Sequence, residues 1–345
     1  MKKREAQNLK RLTLKDVAAM AEVSPITVSR VVNGAEGVRA NVREKVEKAI
    51  AELGYIPNRS ASVLASSKSK LIGVLIPSLS NVVFNDVLRG IYDIATTANY
   101  QVLLFNTHYS PIEEMRAIRT LLGQSPEGII VTGGEQTPAS RTMLQEAKVP
   151  VVQIMGKVDK PIDINVGFSH FDAGESVAQL LLDRSYRKIG FLGARMDRRT
   201  CQRLDGFEKR LSVVNQLDKK RVITTSEPSS VAMGARLFRE LMEVTEGDCD
   251  AVFCCNDDLG VGVLHECKKM QINVPEKFGV CGFNDIEMAA FTEPALTTVR
   301  VNRYKMGSRA MELIFEKTRP TSDKKSITSN YINTGFELIM RNSTR

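Results

Sequence analysis

The stretch TLKDVAAMAEVSPITVSRVVNG (13–34) predicts two short helices joined by a tight turn. Thr13 and Asp16 have the spacing of a capping box at the start of the first helix. Ser24 can cap the second helix, and Pro25 fits its first position, where no backbone N–H is needed. Two short helices separated by a turn of three residues predict a helix-turn-helix.

A third amphipathic segment, about 41–53, predicts a helix that completes a small apolar core. The exposed side of the second helix is then the side that would enter a DNA major groove. Its residues near the N-terminus are Pro25, Ile26, Ser29 and Arg30. Arg30 matches the O6 and N7 atoms of guanine, and Ile26 can contact a thymine methyl group. Polar side chains around these helices are expected to complete the DNA contacts, most of them at phosphates: Thr13, Ser24, Thr27, Asn33, Arg43 and Asn58.

The net charge of the chain is concentrated in this N-terminal part. The 345 residues have a net charge of +8, and residues 1–70 contain 14 Lys and Arg against 7 Asp and Glu. A basic module joined to a nearly neutral body favours a polyanion-binding face. Two alternatives remain open, a solvated basic tail and a three-helix protein-interaction module.

Composition and patterning exclude several classes of protein. The chain has no uninterrupted run of 18 apolar residues, so no membrane-spanning helix is expected. The basic N-terminus lacks the apolar stretch of a signal peptide. The six cysteines are irregularly spaced, and we therefore expect reduced thiols in a cytoplasmic protein.

From residue 71 onward, eight short apolar runs alternate with amphipathic stretches, beginning with LIGVLIP (71–77) and QVLLFN (101–106). Runs that are apolar on both faces, with helices between them, predict parallel βαβ units. This periodicity fits either one barrel or two doubly wound domains.

The small polar residues of 59–70 predict a linker with weak helical potential.

Several motifs beyond the helix-turn-helix carry a family resemblance. They are GYIPNRSASVLASSKSKLIGVLIPSLSN (54–81), RLDGF (203–207), AVFCCNDDLGVG (251–262) and PALTTVRV (294–301). With 13–34, they resemble the LacI/GalR family of bacterial transcriptional regulators. The stretches 76–91 and 193–200 are most similar to gluconate-operon repressors.

The resemblance implies an all-α helix-turn-helix DNA-binding domain (1–57), a hinge segment (58–70) and an α/β effector-binding and dimerisation domain (71–345). This last domain would contain two doubly wound subdomains like those of periplasmic binding proteins. The first would comprise about 71–168 and 301–329, and the second about 169–300 and 330–345.

The linker has a specific role in the family that the sequence resembles. There it becomes a hinge helix on operator DNA, and one leucine wedges a base step open. The corresponding residue here is Leu64, and a flexible tether is the alternative. Where family members often have a serine that caps the third helix, this chain has Arg39, which cannot cap.

The resemblance also implies a ligand between the subdomains, at the C-terminal ends of strands. The residues matched by position are Ser78, Phe84, Arg199, Arg203, Asn256, Asp257 and Asn284. Each has a structural alternative: Phe84 can belong to the core and Asp257 can cap a helix. We expect a sugar acid such as gluconate, because Asn284 replaces an aspartate that many family members with neutral ligands carry, and arginines favour a carboxylate. A neutral sugar or a nucleobase is the alternative.

Enzyme motifs are missing from the sequence: it has no P-loop, no GxGxxG after the first apolar run and no GxSxG elbow. The three histidines are isolated, so we expect neither a metal nor a cofactor. A secreted sugar-binding protein would share the body but lack the N-terminal module. The expected partners are near-palindromic double-stranded operator DNA, a small-molecule effector and a second copy in a homodimer.

Overall fold

The computed structural model describes residues 12–32, 34–35, 37–56, 69–318 and 329–345. The chain divides into two compact units, Met1–Ser69 and Lys70–Arg345. The second unit thus begins one residue before the predicted start of the α/β body at 71.

The described residues of the first unit form three helices: α1 (Leu14–Ala21), α2 (Pro25–Val32) and α3 (Ala40–Leu53). At the start of α1 the Thr13 backbone N–H donates to the Asp16 carboxylate (2.7 Å), and at α2 the Thr27 N–H donates to Ser24 Oγ (3.2 Å). The side chain of Arg39 makes no capping hydrogen bond, so α3 begins without one. The helix-turn-helix follows from these local signals and from a shared apolar core, formed by Val17, Ala18, Ala21, Val28, Val31, Val46, Ala49 and Tyr55.

The first sheet of the second unit has six parallel strands. They are β1 (Leu71–Ile76), β2 (Gln101–Asn106), β3 (Gly128–Thr132), β4 (Val151–Ile154), β5 (Ile164–Gly167) and β11 (Tyr331–Asn333), in the order β11-β5-β4-β3-β1-β2. The associated helices are α4 (Val83–Thr97), α5 (Pro111–Leu122), α6 (Pro138–Glu146) and α11 (Arg303–Thr318).

The second sheet has four parallel strands. They are β6 (Ile189–Ala194), β7 (Val222–Thr225), β8 (Ala251–Cys254) and β9 (Gly279–Cys281), in the order β7-β6-β8-β9. Its helices are α7 (His170–Asp183), α8 (Arg198–Val213), α9 (Val231–Val244) and α10 (Asp257–Lys269). A two-stranded antiparallel sheet, β10 (Thr298–Arg300) with β12 (Glu337–Ile339), bridges to it at Cys281 and Asn284. Two open parallel sheets exclude a single closed barrel and confirm the predicted fold class.

The chain passes between the two subdomains three times: after β5, after β10 and after β11. The third passage differs from the prediction. Because β11 pairs with β5, with Ile332 opposite Val166, residues 331–333 complete the edge of the first sheet. The predicted boundary at 330 is therefore too early, and the passage lies at about 334–336, before β12.

Helices α7 and α8 approach so closely that their backbones touch. A Cβ atom on Gly174 would lie 2.0 Å from the carbonyl oxygen of Arg203, and one on Gly206 would lie 1.9 Å from that of Phe171. Only glycine leaves room for such a crossing. None of the helices in the described ranges is long and apolar enough to cross a bilayer.

Candidate functional site

The first candidate site is the exposed face of α2. Val28 and Val31 are buried in the core, whereas Pro25 and Arg30 are exposed and Ile26 is 73% exposed. Ile26 therefore contributes little to the core of this small unit, and the helix presents an apolar and a cationic side chain side by side. This combination suits the edges of base pairs in a major groove.

The other predicted DNA contacts are placed differently. Ser24 and Thr27 are hydrogen-bonded to each other at the start of α2 (2.9 Å), and Ser29 is half-buried on the same helix. Thr13 is bound to Asp16, and Arg43 donates to the carbonyl oxygen of Ala35 (3.1 Å). Asn33, Asn58 and Leu64 lie outside the described residues.

The second candidate site is a cleft between the two α/β subdomains, with a volume of about 180 Å³. That is below the 300–1,000 Å³ of pockets for drug-sized ligands and suits a small molecule. The loops that follow β1, β2, β4, β6, β8 and β9 meet there, as expected for the carboxyl ends of parallel strands. Five predicted ligand residues line it: Ser78, Arg199, Arg203, Asn256 and Asn284.

Arg203 on α8 is buried at the base of the cleft and held on several sides. Its Nε donates to Nδ1 of His170 (3.1 Å), a second nitrogen donates to the Cys255 carbonyl oxygen, and the guanidinium lies 3.7 Å from the Phe283 ring centroid. Burial lowers its pKa to about 10, so it stays a cation at neutral pH. Since His170 accepts at Nδ1, its Nε2 donates to the Met155 carbonyl oxygen (2.8 Å). Burial lowers the pKa of His170 well below its usual value, which keeps the ring neutral.

Arg199 and Asp197 form an ion pair in the wall of the cleft, with 2.6 Å between nitrogen and oxygen. Asp197 also caps α8 by accepting from the Thr200 N–H (3.0 Å). Although burial opposes ionisation, Arg199 and the cap hold the pKa of Asp197 well below its usual range. The charge of Arg199 is therefore compensated within the protein.

Asn256 and Asn284 occupy two further strand ends. Asn256 Oδ1 accepts from the Leu259 N–H (3.1 Å) and from Ser229 Oγ (2.9 Å), so it caps α10 as well as lining the cleft. Asn284 has a φ of 110°. Its carbonyl oxygen accepts from Arg303, whose guanidinium also pairs with Asp86 (3.0 Å).

Two predicted ligand residues do not line the cleft. Phe84 is 1% exposed and packs in the core of the first subdomain, near Arg199. Asp257 is fully buried, where it accepts from the Ile286 N–H (2.8 Å) and from Thr298 Oγ1 (2.5 Å). Burial raises its pKa to about 6. Phe84 therefore belongs to the core, which is the alternative given for it. Asp257 does not cap a helix, because the cap of α10 is Asn256; it binds Ile286 and Thr298 instead.

The cleft also contains side chains that the sequence analysis did not single out. They are Asn81, Tyr109, Arg195, Asp197, Ser229 and Asp258, with Ser80, Val82, Val83, Met155, Ala194 and Thr200. Tyr109 and Arg195 could have been found from the sequence, because they lie in the loops that follow β2 and β6, where ligands bind in open α/β sheets. Asp258 is the next residue after Asp257, which was the predicted ligand residue. Within the described ranges, no three His, Cys, Asp or Glu side chains are grouped so that they could hold a metal ion.

Comparison with known proteins gives the family. The sequence model of the family described as bacterial regulatory proteins, lacI family, matches residues 13–58. The sequence model of the periplasmic binding protein-like domain matches residues 178–344. The HTH-type transcriptional regulator GntR of Pseudomonas aeruginosa is 39% identical over 335 residues, which cover 97% of this chain and 96% of that protein. The chain belongs to the lacI family. It is a DNA-binding transcriptional regulator, and the predicted family, fold and role are thereby confirmed.

Solved structures of lacI-family proteins agree over nearly the whole length of this regulator. A transcriptional regulator of that family from Silicibacter pomeroyi has a TM-score of 0.89 at 34% identity, covering 97% of this chain and 100% of that chain. The lac repressor dimer bound to operator has a TM-score of 0.82 at 26% identity, covering 97% and 99%. The lacI-family fold therefore includes both units of the chain.

Proposed function

We propose that this lacI-family regulator binds a near-palindromic operator as a homodimer and that a sugar acid in the cleft controls its affinity for DNA. One observation carries the choice of effector: three arginines line the cleft, Arg195, Arg199 and Arg203, against two carboxylates, Asp197 and Asp258. A cleft with an excess of positive charge lowers the cost of enclosing an anion. Such a regulator acts on the chromosome in the cytoplasm and needs no catalytic step.

The DNA half of the proposal rests on α2. Ile26 and Arg30 are exposed on one helix face of a basic module, and a single recognition helix covers only a half-site. Two copies related by a twofold axis would place two such helices on a palindrome. The lac repressor, similar in fold over nearly the whole chain, was solved as a dimer on operator DNA.

The choice of a sugar acid over a neutral sugar rests on the chemistry of the cleft. Guanidinium groups bind carboxylates through charge-assisted hydrogen bonds. Polar groups without charge, at Ser78, Asn81 and Asn256, are suited to hydroxyl groups. One observation favours the second candidate, a neutral sugar: the half-buried carboxylate of Asp258 lines the cleft, and a carboxylate can accept hydrogen bonds from sugar hydroxyl groups.

DNA binding is tested by fluorescence anisotropy with genomic duplexes. We expect a specific, palindromic site whose affinity falls by roughly 10³–10⁵-fold between 50 and 200 mM salt, as for about 6–10 phosphate contacts. Affinity that does not respond to salt, or that is equal for every duplex, would contradict this half of the proposal.

The effector is tested by thermal shift and calorimetry with sugar acids, the matching alditols, neutral hexoses and nucleobases. A ligand that binds only the folded state raises the melting temperature by mass action. We expect the sugar acids to bind more tightly than their alditols and to change operator affinity, in a direction that the anisotropy assay measures. Equal binding of acid and alditol would refute the proposed effector class and leave the DNA half standing.

A further inference from the structure

Arg195 differs from the other two arginines of the cleft in where it lies. It follows β6 in the second subdomain, and its guanidinium carbon lies 4.1 Å from the ring centroid of Tyr109. Tyr109 follows β2 in the first subdomain. The contact between Arg195 and Tyr109 therefore joins the two walls of the cleft.

The guanidinium group of Arg195 also differs from those of Arg199 and Arg203 in its interaction partners. Arg199 is compensated by Asp197, and Arg203 already donates to His170 and to the Cys255 carbonyl oxygen. In the part of the chain that the structure describes, Arg195 forms no ion pair and no side-chain hydrogen bond; its recorded partner is the face of an aromatic ring. A ring holds a cation in place without neutralising it. The guanidinium edge of Arg195 is thus left for a ligand.

The backbone holds both side chains in an unusual way. Arg195 and Met196 have φ of 65° and 46°, and His108 and Tyr109 have φ of 52° and 57°. Two consecutive non-glycine residues in the left-handed region are unfavourable, and such conformations persist where the surroundings impose them, often at binding sites. Here the Arg195 N–H donates to the Glu227 carbonyl oxygen (2.8 Å), and Asn81 Nδ2 donates to the Tyr109 hydroxyl (3.4 Å).

We infer that Arg195 is the side chain that binds the carboxylate of the effector and that Tyr109 positions it. This assignment rests on the proposed sugar-acid function and adds to it the residue that distinguishes an acid from an alcohol. Arg199 and Arg203 then shape the cleft and set its potential, while Arg195 makes the charge-assisted hydrogen bonds.

The test is isothermal titration calorimetry of the full-length protein with gluconate and with glucitol, which has CH₂OH in place of the carboxylate. Arg195→Met removes the charge and keeps much of the bulk, and Arg195→Lys keeps the charge. The matched control is Arg198→Met, an exposed arginine three residues further along. Thermal melts of each variant check that it is folded.

For the wild-type protein we expect gluconate to bind roughly 10- to 150-fold more tightly than glucitol, the range for a hydrogen-bonded charge. Arg195→Met should remove most of this affinity ratio, because gluconate binds more weakly and glucitol does not. Arg195→Lys should retain part of the ratio, and Arg198→Met should leave it unchanged. Tyr109→Leu should reduce the ratio, whereas Tyr109→Phe, which keeps the ring, should not.

Two outcomes overturn the inference and are distinguishable. If the wild-type protein prefers gluconate and Arg195→Met preserves the ratio, the carboxylate binds elsewhere, and the sugar-acid function still stands. If the wild-type protein binds gluconate no more tightly than glucitol, the proposed effector class fails, and the assignment of Arg195 fails with it.

Discussion

Replacing Asp257 by asparagine should make the stability of the protein depend less on pH. Burial raises the pKa of this carboxyl group from 3.8 to about 6 in the folded protein. The folded state therefore holds the proton more tightly than the unfolded chain does. The difference corresponds to about 3 kcal/mol. Its sign is such that this stabilisation is complete below about pH 4 and is lost as the pH rises through about 6.

The asparagine side chain is neutral at every pH and fits the same place. Its Oδ1 can accept from the Ile286 N–H, and its amide can donate to the Thr298 hydroxyl oxygen. The free energy of unfolding of Asp257→Asn, measured relative to wild type, should therefore rise by about 3 kcal/mol between pH 4 and pH 7.5. In scanning calorimetry this is a relative increase of roughly 6 °C, at about 2 °C per kcal/mol for a large domain.

The control is Asp159→Asn, the same substitution at an exposed position, and the pH dependence of Asp257→Asn is compared with it. If the difference for Asp257→Asn is flat with pH, the carboxyl group is not desolvated as the structure indicates. Since Asp257 does not line the cleft, the variant should bind the effector within about threefold of wild type, which corresponds to less than about 0.7 kcal/mol. A large loss of affinity would show that the side chain reaches the ligand after all.

Arg203→Met should lower the free energy of unfolding by about 2–4 kcal/mol, because His170 and the Cys255 carbonyl oxygen each lose a hydrogen-bond donor. In titration calorimetry the variant should bind both gluconate and glucitol more weakly, by a similar factor. Weaker binding of gluconate alone would contradict this. Gly174→Ala should destabilise by about 1–3 kcal/mol or more, because its Cβ would lie 2.0 Å from a carbonyl oxygen. In the control, Gly123→Ala, the added Cβ would lie 3.4 Å from its nearest atom, so the melting temperature should change little. Arg30→Ala should cost about 1–3 kcal/mol at one base pair of each half-site and leave binding to random duplexes nearly unchanged, as anisotropy with substituted operators would show.

The helix-turn-helix could be predicted closely because its signals are local. Thr13 and Asp16 cap α1, Ser24 caps α2, and the structure begins both helices where these residues stand. Most strands of the α/β body could be found in the same way, since β1 and β2 are continuous apolar runs. Short strands that mix polar and apolar residues, such as β11, have no continuous apolar run from which they could be predicted. β11 is recognisable only from its pairing with β5, which depends on a contact about 165 residues away in sequence.

The cleft could be predicted less completely than the fold. Strand ends pointed to the right loops, but the face on which a side chain emerges depends on packing. Of the adjacent aspartates 257 and 258, Asp257 turns inward to Thr298, and Asp258 lines the cleft. Phe84 begins α4 near the cleft yet points into the core. Tyr109 and Arg195 come from loops about 85 residues apart, and nothing in the sequence relates them before the subdomains are placed together.

The backbone contact between α7 and α8 affects how much ordering the binding of a ligand requires. Gly174 and Gly206 fix the two helices against each other, with His170 at the start of α7 and Arg203 on α8. A free arginine loses about 2 kcal/mol of rotamer entropy when it is immobilised. Arg203 has already lost that freedom on folding, through His170, Cys255 and the Phe283 ring. The base of the cleft is thus rigid before any ligand arrives, and a molecule with few atoms can bind it without first having to order it.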